Sequence, residues 1–142
     1  MTTPRSLEFL PEVTMEISTD IIAFSPEHAR TITDEYRHPR YWESLEVDTR
    51  WWFVGENGQG DRWLLGPDGG IWLFDHNHGE LATHLFEPLR IDVTEWLILG
   101  HALRAFERLG DPTDDDIARL DAVVESISPG LAERYPYELP FV

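Results

Sequence analysis

Apolar and polar positions follow two rhythms along this chain, and the change of rhythm divides it. Residues 50–54, 61–65 and 71–75 are three short runs rich in Trp, Phe, Ile, Val and Leu, each of strand length. Between them lie Gly55-Glu56-Asn57-Gly58-Gln59-Gly60 and Gly66-Pro67-Asp68-Gly69-Gly70. Glycine reaches positive φ without steric cost, Asn tolerates it, and Pro followed by Asp-Gly is strong turn chemistry. Three strands with short connections predict an antiparallel meander. Side chains alternate, so Trp51 and Phe53 point one way and Trp52 and Val54 the other; Ile71 and Leu73 oppose Trp72 and Phe74. Neither face is polar. One face is expected to pack on helices, the other to be covered by another segment or to present aromatics to a partner.

Around this block the period lengthens. Ser25-Pro26-Glu27-His28 reads as a helix start, with Ser25 as N-cap and Pro26 at the first helical position. That helix runs to about Arg37 and Pro39 ends it. Asp92-Val93-Thr94-Glu95 has the form of a capping box, and Trp96, Leu99, Leu103, Phe106 and Leu109 recur at helical spacing with Gly110 as the stop. Asp111-Pro112-Thr113-Asp114-Asp115-Asp116 opens a further helix whose apolar stripe is Ile117, Leu120, Val124 and Ile127, stopped by Ser128-Pro129-Gly130. Residues 12–18 alternate weakly, with Val13, Met15 and Ile17 on one side, and predict a strand that residues 21–24 extend or pair. Residues 7–18 as a whole read as strand rather than helix. Residues 41–47 form an aromatic, acidic connection, residues 80–86 a short helical turn, and residues 131–142 irregular packed chain. The class predicted is α+β: an antiparallel sheet of about four to six strands, with helices mainly on one side, in a single domain spanning residues 1–142.

Composition narrows the class of function. The 142 residues contain no Cys, which removes a disulfide framework and thiolate zinc sites. No apolar run has the length of a bilayer span, and the first residues lack a signal-peptide core, so a cytoplasmic location is expected. There are 27 acids against 11 bases, every base is Arg, and the formal charge is −16. That charge is spread along the chain: residues 1–50, 51–110 and 111–142 carry −5, −5 and −6. Such a surface repels phosphate backbones and steers basic protein partners towards itself, so a protein partner is expected rather than nucleic acid or membrane.

Candidate catalytic parts are weak. His76, His78 and His84 stand near Asp75 and Glu80, and alternate positions on a strand would let His76 and His78 share a metal. The spacing matches neither an H-E-x-x-H helix nor a calcium loop. The Gly55–Gly60 stretch cannot be a phosphate loop in a chain without Lys. Ser and Thr residues occupy caps and ordinary surface contexts, with no Gly-x-Ser-x-Gly elbow. The expectation is a protein without catalytic residues, metal or cofactor. The stronger signal is acids interleaved with aromatics on and before the meander. Glu43, Glu46, Asp48, Trp52, Glu56, Asp61, Trp63 and Asp75 make a candidate partner-binding patch, because aromatics anchor interfaces and charges set the encounter rate.

One resemblance gives this patch a context. Gly55, Gly58, Gly60 and Asp61 followed by Trp63-Leu64-Leu65 resemble the glycine-Asp hairpin of the SUKH superfamily, also called SMI1/KNR4. Gly70-Ile71-Trp72, two residues, then Asp75-His76 is similar to that family's next strand, and Glu80-Leu81 before Phe86 to the run into its following helix. The likeness covers residues 40–110 and is strongest in the middle third. The front departs from the family, whose members open with a helix and a Gly-rich turn. The resemblance implies a binding domain. In bacteria such domains are commonly immunity proteins that neutralise polymorphic toxins, often nucleases, by binding and blocking them; the all-Arg composition fits a GC-rich bacterial source. A regulatory scaffold of the same fold and a His-based metal-dependent enzyme are the alternatives.

Overall fold

All three aromatic runs form strands in the computed structural model, which describes residues 3–38, 50–78 and 81–141. Six strands lie side by side in chain order, each antiparallel to its neighbours: β1 (Met15–Ser18), β2 (Ile21–Ala23), β3 (Trp52–Glu56), β4 (Arg62–Leu65), β5 (Ile71–Phe74) and β6 (Glu87–Pro88). The described helices are α1 (Pro26–Tyr36), α2 (Val93–Glu107), α3 (Asp114–Ile127) and α4 (Leu131–Arg134). The fold is α+β, as the periodicity predicts. The connection at residues 41–47 and the stop at Pro39 lie outside the described residues.

Local sequence accounts for the helix starts. The Ser25 hydroxyl accepts from the His28 amide at 3.1 Å, and Pro26 occupies the first turn, where its missing N–H costs nothing. Asp92 and Glu95 close a reciprocal capping box at α2, and Thr113 and Asp116 close another at α3.

Packing on the sheet depends on two close approaches by α2. Gly55, Trp63 and Leu73 are cross-strand partners and share a face. The Trp96 indole lies so close over Gly55 that a Cβ there would stand 2.8 Å from the ring. Gly100 brings the same helix against β1, where a Cβ would stand 2.7 Å from Ile17 Cγ2. Trp63 packs on Trp96, Tyr135 and Tyr137 on this face. The other face carries Phe53, Leu64 and Trp72. Trp51 meets Trp72 and Phe86 edge-on at 5.1 and 4.9 Å, and Tyr36 stacks on Phe53 at 4.6 Å. Both faces are therefore covered by aromatics.

Helix α1 fills a gap at a strand edge. β2 pairs with β3 only at Ile22–Glu56 and Ala23–Gly55, followed by Phe24 N–H to Val54 O. Beyond that point side chains of α1 and its C-cap take the backbone groups: Thr33 Oγ1 accepts from Phe53 N at 2.9 Å, and Arg37 donates to Trp51 O at 3.2 Å. Tyr36 lies on Phe53 and the Arg37 guanidinium lies 4.2 Å over Trp52, so the helix end straddles the strand. Unpaired backbone groups there would cost as much as lost hydrogen bonds.

Several expectations are corrected. Residues 7–18 are not one strand: Arg5–Phe9 is a 3-10 turn behind Pro4, with Leu7 and Leu10 buried three residues apart, and the strand begins at Met15. Of the predicted stripe Val13, Met15 and Ile17, only Ile17 enters the core. Gly110 does not stop α2 in a left-handed cap, because the helix already ends at Arg108. The tail is not wholly irregular. Gly130 turns the chain at φ 79°, Leu131 is buried, and Arg134 donates to Leu89 O, Pro129 O and Ser128 Oγ, so α4 is tied to the sheet edge.

Candidate functional site

The glycine-Asp hairpin and the Asp-His strand end meet in space. After β3 the chain turns through Asn57, whose side-chain oxygen accepts from Gln59 N at 2.9 Å and Asp61 N at 3.0 Å. Gly58 and Gly60 take φ of 83° and 113°, values side-chain-bearing residues rarely adopt. Gly60 also clears the space into which the His76 ring packs: a Cβ there would stand 2.9 Å from His76 Cγ. The turn delivers Asp61 into a buried position, 6% exposed.

Four donors converge on the Asp61 carboxylate. Oδ1 accepts from the His76 amide at 3.0 Å and lies 2.6 Å from His76 Nδ1. Oδ2 accepts from Asn57 Nδ2 at 3.0 Å and from the Tyr137 hydroxyl at 2.7 Å. One side chain thus joins the β3–β4 hairpin, the end of β5 and the C-terminal segment. Burial alone would raise its pKa; the hydrogen bonds from His76 and Tyr137 and the neighbouring imidazole outweigh burial and hold it below the ordinary carboxylate range. Burial, followed by the hydrogen bond to Asp61, pushes the Tyr137 hydroxyl far up, so it stays a neutral donor. Burial and the nearby charges of Asp20 and Glu107 do the same for Tyr135. Asp20 itself is raised by burial, then by Glu107 and Asp61.

This geometry redistributes the predicted patch. Asp61 is withdrawn from it, because both oxygens are occupied inside the protein. Trp63 is withdrawn as well: it is fully buried, and its indole N–H donates to Asp20 O at 2.9 Å. Trp52 is 5% exposed beneath Arg37. Glu56 and Asp75 remain partly exposed, Glu56 paired with Arg62 at 2.9 Å and Asp75 accepting from Asn77 N at 2.9 Å. Glu43, Glu46 and Asp48 lie outside the described residues. Among the five described Trp residues, Trp72 alone is more than marginally exposed.

His76 and His78 do not share a strand face, because β5 ends at Phe74 and both belong to a 3-10 turn, His76–His78. Ligand-type atoms of Asp61, Asp75 and His76 lie within 4.8 Å of one another. Asp61 and the Nδ1 atom of His76 are nevertheless already committed to each other, which suits a structural latch better than an ion cage. The acids at the start of α3 also have a local role: hydrogen bonds from the Thr113 amide and hydroxyl hold the Asp116 carboxyl below its ordinary range. Sequence reasoning did not find Tyr137 or the role of Asn57. Asn57 carried a signal, being the residue that tolerates such a turn, whereas Tyr137 carried none.

Among the described residues no helix is long and apolar enough to cross a membrane. No protein-family model, curated protein or solved structure gives a significant match to this chain.

Proposed function

We propose that this chain is a non-catalytic protein-binding domain of the SUKH type. On this reading it is an immunity protein that binds and occludes a basic toxin domain, possessing nuclease or comparable activity, in a bacterial cytoplasm. The observation that carries the reading is the meeting of the motif residues, picked out by their order in the sequence: Asp61 is hydrogen-bonded to His76, and Gly60 leaves the room into which the His76 ring packs. A shared structural latch is what would keep those residues in that order. The formal charge of −16 supports a cationic partner, attracted over a distance and held by carboxylates that stay at the surface, such as Glu56 and Asp75. Inhibition would be steric and electrostatic. The surface differs from the patch expected from sequence, since Trp52 and Trp63 support the sheet from within.

The test is co-expression with the toxin encoded beside this gene. Rescue of growth and a co-purifying complex are expected. The absence of both rescue and complex would sink the immunity reading.

A further inference from the structure

We propose that a cationic protein partner docks on the α2–α3 hairpin by placing an apolar side chain in the groove between the two helices. The proposal rests on the protein-binding reading above and adds an apolar anchor site to the surface carboxylates named there. The groove, about 290 Å³, is lined by Ala102, Ala105, Phe106, Leu109, Leu120 and Val123, with the charged Asp116 and Arg119 of α3 completing its wall. Leu109 and Val123 are 42% and 41% exposed. Exposed apolar side chains gathered in a concavity are the setting in which an interface anchor loses the most water.

The sheet is less open to a partner, and the exposed Phe9, Val13 and Met15 lie on the N-terminal segment and β1, outside this groove. Both sheet faces are covered, and the sheet edges are blunted. At β1 the Ile17 carbonyl already accepts from Arg104 Nε at 3.1 Å, and β6 is two residues long and includes Pro88. The Asp61 cluster is turned inward.

Charge selects the occupant. α3 exposes Asp114, Asp115, Asp121 and Glu125, and its single cation, Arg119, lines the groove 3.9 Å from Asp116. A second copy would bring the same net charge of −16 to the contact, whereas a cationic protein is drawn to it. On α2, His101 and Arg108 are exposed, and the exposed Glu107 is paired with Arg104 at 3.2 Å. The positive part of the partner therefore belongs over α3, and the groove takes its aliphatic or aromatic anchor.

The test uses the full chain and two labelled peptides of equal positive charge, an amphipathic Leu/Lys helix former and its Ser/Lys counterpart, read by fluorescence anisotropy. The Leu/Lys peptide should bind more tightly by about tenfold, and Val123→Glu or Leu109→Glu should abolish that advantage although each adds negative charge. Thermal melts monitored by circular dichroism establish that these exposed positions tolerate the change. Equal binding of the two peptides, or a Leu/Lys advantage that survives both substitutions, overturns the proposal. So does a dimer in sedimentation velocity that Val123→Glu dissociates, since the occupant would then be a second copy. The toxin arm separates the two readings. A toxin complex that survives Val123→Glu overturns the groove and leaves immunity standing. Peptide binding through the groove without any toxin complex supports the groove and overturns immunity.

Discussion

The two glycine-rich turns of the aromatic block have similar composition and opposite roles. Between β4 and β5, Gly66 N–H bonds Gly70 O and Gly69 N–H bonds Gly66 O, while the Asp68 carboxylate accepts from Gly70 N and the Trp72 indole. Every partner lies within four residues, and the tip of the turn, residues 67–69, is exposed. Between β3 and β4, the Asp61 carboxylate is buried and accepts from His76, 15 residues on, and Tyr137, 76 residues on. One aspartate closes a local loop and the other closes the fold. The energetic difference follows from solvation, because an exposed group that loses a partner finds water and a buried one does not.

The sharpest way to break this comparison is to remove each carboxylate. Asp61→Ala strands the His76 amide, the Asn57 amide and the Tyr137 hydroxyl, and should cost about 3 kcal/mol in urea unfolding. A loss below about 1 kcal/mol would mean that water replaces the carboxylate without penalty.

The pH dependence sharpens the same point. The folded pKa of Asp61 lies below its ordinary 3.8. Its contribution to stability is therefore fully present above that value and is lost as pH falls through the folded pKa. Asp20 has the opposite sign: its folded pKa is raised, so its ionisation weakens the fold as pH rises through the carboxylate range. The informative quantity is thus the difference between the native chain and Asp61→Asn in acid titrations followed by circular dichroism. The native chain should lose stability more steeply below its ordinary carboxylate value. Asp20→Asn should raise the melting temperature at neutral pH, and a lowered one would refute its assignment.

Tyr137→Phe tests the long-range arm alone. It removes one donor from a carboxylate that keeps three, and should cost about 1 kcal/mol. Asp68→Ala, in the local turn, should cost about 0.5 kcal/mol, close to the ordinary range for exposed positions. Equal losses at Asp61 and Asp68 would erase the distinction between the turns.

The same contrast explains what the sequence could reveal. Turn glycines, the Ser25 and Asp92 caps and the strand runs are local, and each was legible because propensity and geometry act within a few residues. The role of Asp61 was not legible. Its carboxylate looks like surface charge until residues from 15 and 76 positions away arrive at it. Trp52 and Trp63 were misplaced for a related reason. With apolar residues on both faces of the meander, alternation fixes which residues share a face but not which face is covered. The 3-10 turn at Arg5–Phe9 escaped because five residues are too few to establish a period.

The seating of α1 along β3 has a consequence for how this protein would fail. Residues 51–54, Trp-Trp-Phe-Val, combine high β-propensity with no charge, two features shared by segments that recruit further chains. Thr33 and Arg37 occupy two of the backbone groups there with side chains rather than with another strand. Detachment of α1 would free those backbone groups on β3, and β3 is then where strand-to-strand association between chains would begin.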